Sequence, residues 1–217
     1  MKKQCRTIVL INLIYLILAR NVNNNIRNLN NKNNIKLKLI DDGDVSDNKC
    51  LKVFSGNKDE YPDSVYLNDE EVDLQTDGCI SLNINDIAET YTVILEWNKP
   101  INTCEDFFYS LDDIVEIDLS EFDASEVTSM SSMFYYCKNL KNIKFGNINT
   151  SSLIEMCFMF NNCGSLYSID LSNFDTSKVS SIEGLFFSCT KLSSLNITNM
   201  NTSQIINMAY IFYDANH

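Results

Sequence analysis

From Ile117 onward the apolar positions recur every 26 residues, and inside each period they change rhythm. Ile117, Ile143, Ile169 and Leu195 open four copies, and Leu119, Phe145, Leu171 and Ile197 follow two residues later. Apolar residues two apart, as in Ile169-Asp170-Leu171-Ser172, share one face of a strand and leave the polar pair on the other. The spacing then lengthens. Val127, Met130, Met133-Phe134 and Cys137 step by three or four, and so do their counterparts in the later copies. That rhythm predicts a short helix with one buried stripe along about three turns. The Asp/Asn-Thr-Ser stretch before it offers side-chain oxygens for an N-cap. The copies close on Leu140, Leu166 and Leu192, and the last stops at His217 short of that residue. Ile101, Cys104, Phe107-Phe108, Leu111 and Ile114 sit at matching offsets and make a degenerate half-copy. Fixed-period self-similarity predicts stacked coils that bury one continuous core. The expected fold is an α/β solenoid of leucine-rich-repeat type over residues 100–217, with a short strand and a short helix per coil. It comprises one degenerate half-copy plus four copies, the last incomplete.

The junctions Leu140-x-x-Ile143-x-Phe145, Leu166-x-x-Ile169-x-Leu171 and Leu192-x-x-Leu195-x-Ile197 carry the L-x-x-L-x-L core of a leucine-rich repeat. Phe122, Ile148, Phe174 or Met200 stands where Asn or Cys is usual. The runs Ile117-Asp-Leu-Ser-Glu-Phe-Asp-Ala-Ser125 and Ile169-Asp-Leu-Ser-Asn-Phe-Asp-Thr-Ser177, with Met133-Phe134-x-x-Cys137-x-x-Leu140 after the first, resemble the 26-residue repeats of BspA-like surface proteins. The resemblance covers about half the chain. It implies a leucine-rich-repeat-type fold and a cell-surface recognition or adhesion role, with no catalytic residue and no particular ligand. The second copy departs from the pattern at Gly146-Asn147-Ile148-Asn149.

The first hundred residues lack the period. Lys2, Lys3 and Arg6 precede the apolar run Ile8–Ala19, which reads as a secretory signal peptide over residues 1–19. The run is shorter than the roughly 20 residues of a membrane-spanning helix, and an uncleaved signal anchor is the rival. Residues 20–34 are rich in Asn and read as a disordered linker. Residues 35–99 hold short β-type runs at 35–40, 50–54, 64–67, 79–84 and 91–97, separated by turn clusters. They predict a β-rich N-terminal cap over the first coil. An independent β-sandwich module is the alternative.

Charge and composition then narrow the function. All eight bases up to Lys38 precede the first acid, Asp41; beyond it 9 Lys/Arg face 29 Asp/Glu. So acidic a body repels nucleic acid and anionic membranes, leaving membrane contact only to the N-terminal segment if uncleaved. His217 is the single histidine, which removes the usual Ser-His-Asp, Cys-His and His-metal sites. With 6 Gly, no phosphate loop is visible. The acidic turn at 41–47 has Asp47 and Val53 where an EF-hand counted from Asp42 needs Gly and Glu. No catalytic residue, cofactor or metal is assigned, and the chain reads as a non-enzyme.

Cys137, Cys163 and Cys189 share one apolar column and predict a buried ladder of free thiols. Cys50 and Cys79 are the candidate disulfide. Of three glycosylation sequons, Asn149 and Asn201 share a corner column with Asp123 and Asp175, and Asn196 stands on the outward strand face. That face, Asp118, Ser120, Lys144, Gly146, Asp170, Ser172, Asn196 and Thr198, is the candidate ligand surface. The expected protein is secreted or displayed on the cell surface and offers this polar face to an extracellular protein or glycan. The rivals are a surface-coat or scaffold protein that self-associates through an exposed last coil at Ile205, Met208, Ile211 and Phe212, and a polysaccharide hydrolase.

Overall fold

A computed structural model describes residues 33–40, 50–82 and 89–215, all within one unit, Asn33–His217. The signal-peptide segment, most of the Asn-rich tract and the acidic turn at 41–47 lie outside the described residues.

The described residues hold ten strands: β1 Asn34–Ile40, β2 Cys50–Lys52, β3 Ser64–Leu67, β4 Glu70–Val72, β5 Cys79–Ser81, β6 Thr90–Glu96, β7 Ile114–Asp118, β8 Asn142–Lys144, β9 Ser168–Asp170 and β10 Ser194–Asn196. The expected α/β leucine-rich-repeat solenoid is overturned. Among the described residues there is no α-helix, only a single 3-10 turn at Lys58–Glu60. The strands form one mixed six-stranded sheet, ordered β4-β3-β6-β1-β7-β8, and two separate pairs, β9-β10 and β2-β5. No continuous parallel sheet runs through the copies.

The residues read as helix are a ribbon of consecutive tight turns. In the first full copy Met133 N–H donates to Met130 O, Tyr135 to Ser132, Cys137 to Phe134 and Leu140 to Cys137, each closing an i to i+3 turn. The alternate amides leave the coil. Met130, Ser132, Phe134 and Tyr136 donate to the carbonyls of Glu155, Cys157, Met159 and Asn161, 25 residues ahead, at 2.8–3.0 Å. The same alternation joins every neighbouring pair of coils from Cys104 to Tyr213. A helix is excluded by backbone sign: Ser132 and Tyr136 have φ of +55° and +61°. So do Asp106 and Ser110, Phe158 and Asn162, Gly184 and Ser188, and Tyr210 and Asp214 at the equivalent places. Residues 132 and 136 occupy the third place of their turns, where a type II turn requires positive φ.

The 26-residue period therefore fixes register. Ile117 pairs with Ile143 in β7-β8 and Ile169 with Leu195 in β9-β10, both parallel. Thr103, Ser129, Glu155, Ser181 and Asn207 bridge in a parallel row. Phe108, Phe134, Phe160, Phe186 and Phe212 stack face to face with centroids 5.5–5.7 Å apart. Flanking this column, Cys137, Cys163 and Cys189 are buried free thiols whose S–H groups donate to the carbonyls of Phe108, Phe134 and Phe160.

At the N-terminal side, β1 lies antiparallel between β6 and β7, with Leu37 opposite both Val93 and Ile117. Ile35, Leu37 and Leu39 alternate inward while Lys36 and Lys38 face out, the pattern of a half-buried strand. Asn34, the last residue of the segment 20–34 read as linker, is the first residue of this strand. Cys50 and Cys79 form a disulfide across β2-β5, with Cα atoms 5.4 Å apart. Next to it, Phe54 is fully buried, 4.8 Å from the ring of Phe107, while Trp97 stacks on Phe107 at 5.8 Å. Trp97 Nε1 donates to Glu60 O.

Candidate functional site

The eight residues of the expected ligand face line up, but much of their hydrogen-bonding capacity is used inside the fold. Asp118 Oδ1 accepts from Ser120 N–H, Asp170 Oδ1 from Ser172 N–H and Asn196 Oδ1 from Thr198 N–H and O–H. Each closes an Asx turn where a strand enters its corner. Lys144 Nζ reaches Asp118 Oδ2 at 3.1 Å. Against the desolvation that raises it, the Ser120 and Lys144 contacts hold the Asp118 carboxyl below its ordinary value. The Ser172 donors, helped by Asn196, hold Asp170 low as well. Gly146 has φ +60° and packs on Ser120, so it shapes the corner. A shallow concavity of about 330 Å³ does open here, lined by Lys36, Lys38, Glu116, Asp118, Asn142 and Lys144 among others. The pairs Lys38–Glu116 and Lys144–Asp118 match four of its charges, and Lys36 adds one more positive charge. The face is divided, because β7-β8 and β9-β10 belong to different sheets.

The sequon column behaves as a corner. Asp123, Asn149, Asp175 and Asn201 each accept from the backbone N–H two residues on, at Ser125, Ser151, Ser177 and Ser203. Asn196 is half-buried within its own turn.

The structure brings forward a surface that the sequence reading passed over. One residue after each stacked Phe comes Tyr109, Tyr135, Asn161, Phe187 or Tyr213. The aromatic members of this set form a second column of stacked pairs. Tyr109 and Tyr135 stack at 5.0 Å, Phe187 and Tyr213 at 5.0 Å, and buried Asn161 separates the two pairs. Tyr136 leans on Tyr135 at 4.9 Å, with Lys138 Nζ 5.6 Å from its ring centroid and paired to Asp112. Tyr109 and Tyr136 are 43% and 37% exposed, a large aromatic area to leave in water. Beside Tyr109 a groove of about 490 Å³ is lined by Lys52, Ser55, Asp106, Ser110 and Leu111. Partial burial pushes the Asp106 carboxyl up. Aromatic edges, a cation, a carboxyl and hydroxyls thus converge where the N-terminal region meets the first coil. The aromatic pairs were visible in the sequence, as Phe134-Tyr135-Tyr136 and Phe186-Phe187 show, but they lie outside the buried stripe.

Among the described residues, no group of three or more His, Cys, Asp or Glu is placed to hold a metal ion. No helix there is long and apolar enough to cross a membrane. No curated protein sequence and no solved structure is significantly similar to the chain. One family profile matches, over residues 102–217, the same stretch that the stacked coils and both aromatic columns occupy. The chain therefore belongs to the family described as "Mycoplasma protein of unknown function, DUF285".

Proposed function

We propose that this is a non-catalytic, secreted or surface-displayed recognition protein that holds a polar extracellular ligand, a glycan foremost, at the Tyr109–Tyr135–Tyr136 ridge and its adjoining groove. The observation that carries the reading is the exposure of these stacked tyrosines beside Lys52, Asp106 and Ser110. Aromatic side chains give large contact area at low entropic cost, and neighbouring polar groups orient a hydroxylated ligand. The strand face is the weaker site because Asp118, Asp170 and Asn196 already serve their own corners. The resemblance to BspA-like surface repeats and the apolar N-terminal run Ile8–Ala19 support an extracellular setting.

The test is binding of the purified protein to arrayed extracellular glycans and matrix proteins. Wild type binds, and Tyr109→Ala with Tyr136→Ala loses at least about tenfold in affinity, the loss of one hot-spot aromatic. Lys144→Ala leaves binding unchanged. Loss on Lys144→Ala with tolerance of both tyrosine changes moves the site to the strand face. Absence of binding to every arrayed ligand defeats the reading.

A further inference from the structure

Two sheet edges in the N-terminal region border one cleft. In β3, Asn68 N–H donates to Thr92 O of β6, and antiparallel alternation from there turns Tyr66 and Ser64 toward β6. Leu67 and Val65 therefore bond Glu70 and Val72 of β4, and the N–H and C=O of Glu71 face away from the sheet. β4 is the last strand on that side, and these two groups have no backbone partner among the described residues. In the β2-β5 pair, Val53 N–H donates to Gly78 O, which by the same alternation leaves the N–H and C=O of Ser81 on the far side of β5. Asn68 and Asp69, with φ of +49° and +72°, form the two-residue turn that holds β3 and β4 in a fixed hairpin. Residues of β4 and β5 line a cleft of about 730 Å³, with Val65, Leu74 and Ile80 as apolar wall and Asp63, Glu71 and Asp73 as acids. No Lys or Arg lines it. Asp63 accepts from Asn98 N–H, while Glu71 and Asp73 have no ion-pair partner among the described residues.

We infer that this cleft takes an extended, basic peptide segment of another protein, which adds as a strand beside Glu71 and sets its cationic side chains against Glu71 and Asp73. Strand addition needs an open edge for main-chain bonds and a wall for alternate side chains, and the cleft has both. Charge selects the occupant. Beyond Lys38 the chain sets 9 Lys/Arg against 29 Asp/Glu, so the edge of a second copy would bring Glu70 and Glu71 against the same acids. Acids on an edge strand disfavour that kind of self-pairing. A basic strand is attracted instead. Glu71 is exposed, and Val72 packs against the core from the other face of β4. A partner that alternates Lys with an apolar residue therefore meets carboxylates on one face and the apolar wall on the other. This inference stands apart from the ligand reading at the tyrosine ridge, with which the cleft shares no lining residue.

The test uses the full chain and the synthetic peptide acetyl-Lys-Val-Lys-Val-Lys-amide, with binding and amide exchange followed by NMR. Saturating peptide is expected to slow exchange at Glu71 by about tenfold or more. The same peptide N-methylated on every backbone nitrogen keeps its charge and loses its main-chain donors, and is expected to bind at least about tenfold more weakly. Glu71→Lys with Asp73→Lys is expected to lower affinity by about tenfold or more, while the amides of Val65 and Leu67 stay protected and show the hairpin intact. No binding of the unmodified peptide overturns the inference. Equal affinity for the N-methylated peptide, or for acetyl-Glu-Val-Glu-Val-Glu-amide, overturns it too. So does protection of the Glu71 amide that rises with protein concentration alone, which would make a second copy the occupant.

Discussion

The two ends of the coil stack are built from the same repeat and finished differently. At the N-terminal end Phe54 and Trp97 cover the ring of Phe107, Ser55 fills the free carbonyls, and β1 adds itself beside β7. At the other end Phe212 is stacked on one side only, and the amides of Met208, Tyr210 and Phe212 have no partner among the described residues. A coil contributes stability mainly through its interfaces, so a side chain's worth depends on how many neighbours its coil has. The N-terminal region supplies the missing neighbour with a sequence that contains no copy of the repeat.

The sharpest break of that comparison is a matched pair of truncations. Phe54→Ala removes a fully buried ring and is expected to cost about 3–5 kcal/mol in urea unfolding. Phe212→Ala, half in water already, is expected to cost under about 1.5 kcal/mol. Equal losses would mean that the two ends are equivalent. Opening the Cys50–Cys79 bridge, with its separation of 29 residues, is next, at about 3–4 kcal/mol from loop entropy. Cys50→Ser/Cys79→Ser measured beside wild type checks it.

The thiol column gives a pH dependence located between the ends. Burial, only partly offset by backbone donors, pushes Cys137 and Cys189 from an ordinary 9.0 up to about 12. Burial raises Cys104 and Cys163 as well. An unfolded thiol loses its proton first, so the native state holds more protons in that window. Stability is therefore full below pH 9 and falls as pH rises toward 12, by roughly 1.4 kcal/mol per pH unit for each thiol. Urea midpoints measured from pH 7 upward should decline, and Cys137→Ala should make the decline shallower. In native protein at neutral pH, half-buried Cys157 is expected to alkylate before any residue of the ladder.

Smaller effects separate turns from helix. Gly184 has φ +57°, and a Cβ there would lie 2.4 Å from the Phe158 ring, so Gly184→Ala is expected to cost about 1–2 kcal/mol. Ser132→Gly relieves a left-handed residue and is expected to stabilise by about 0.5–1 kcal/mol. Inside a helix the same change would destabilise by a similar amount. The direction of the shift decides between them.

The period, the apolar columns and the places of β1, β2, β3, β5 and β6 could be read from the residues, whereas β4 at Glu70–Val72 was passed over. Each rests on an alternation or a fixed repeat that burial enforces. The helix was misread because three- and four-residue spacing is also what consecutive turns produce when every second amide leaves the coil. Gly184 in one column, and Ser110, Asn162, Ser188 and Asp214 in another, were the available sign of left-handed positions. The divided strand face depends on which corner reaches which sheet, and the open amide row on hydrogen bonds between coils. Neither leaves a mark in residue types.

The most direct measurement is residue-resolved amide exchange of the free protein, comparing equivalent positions in the last two coils. Gly184, Phe186 and Ser188, bonded to the carbonyls of Ala209, Ile211 and Tyr213, should exchange slowly, while Met208, Tyr210 and Phe212 exchange near the unprotected rate. Comparable protection of both sets in dilute protein would contradict the account, because a helix or a second cap satisfies amides that this ribbon leaves open.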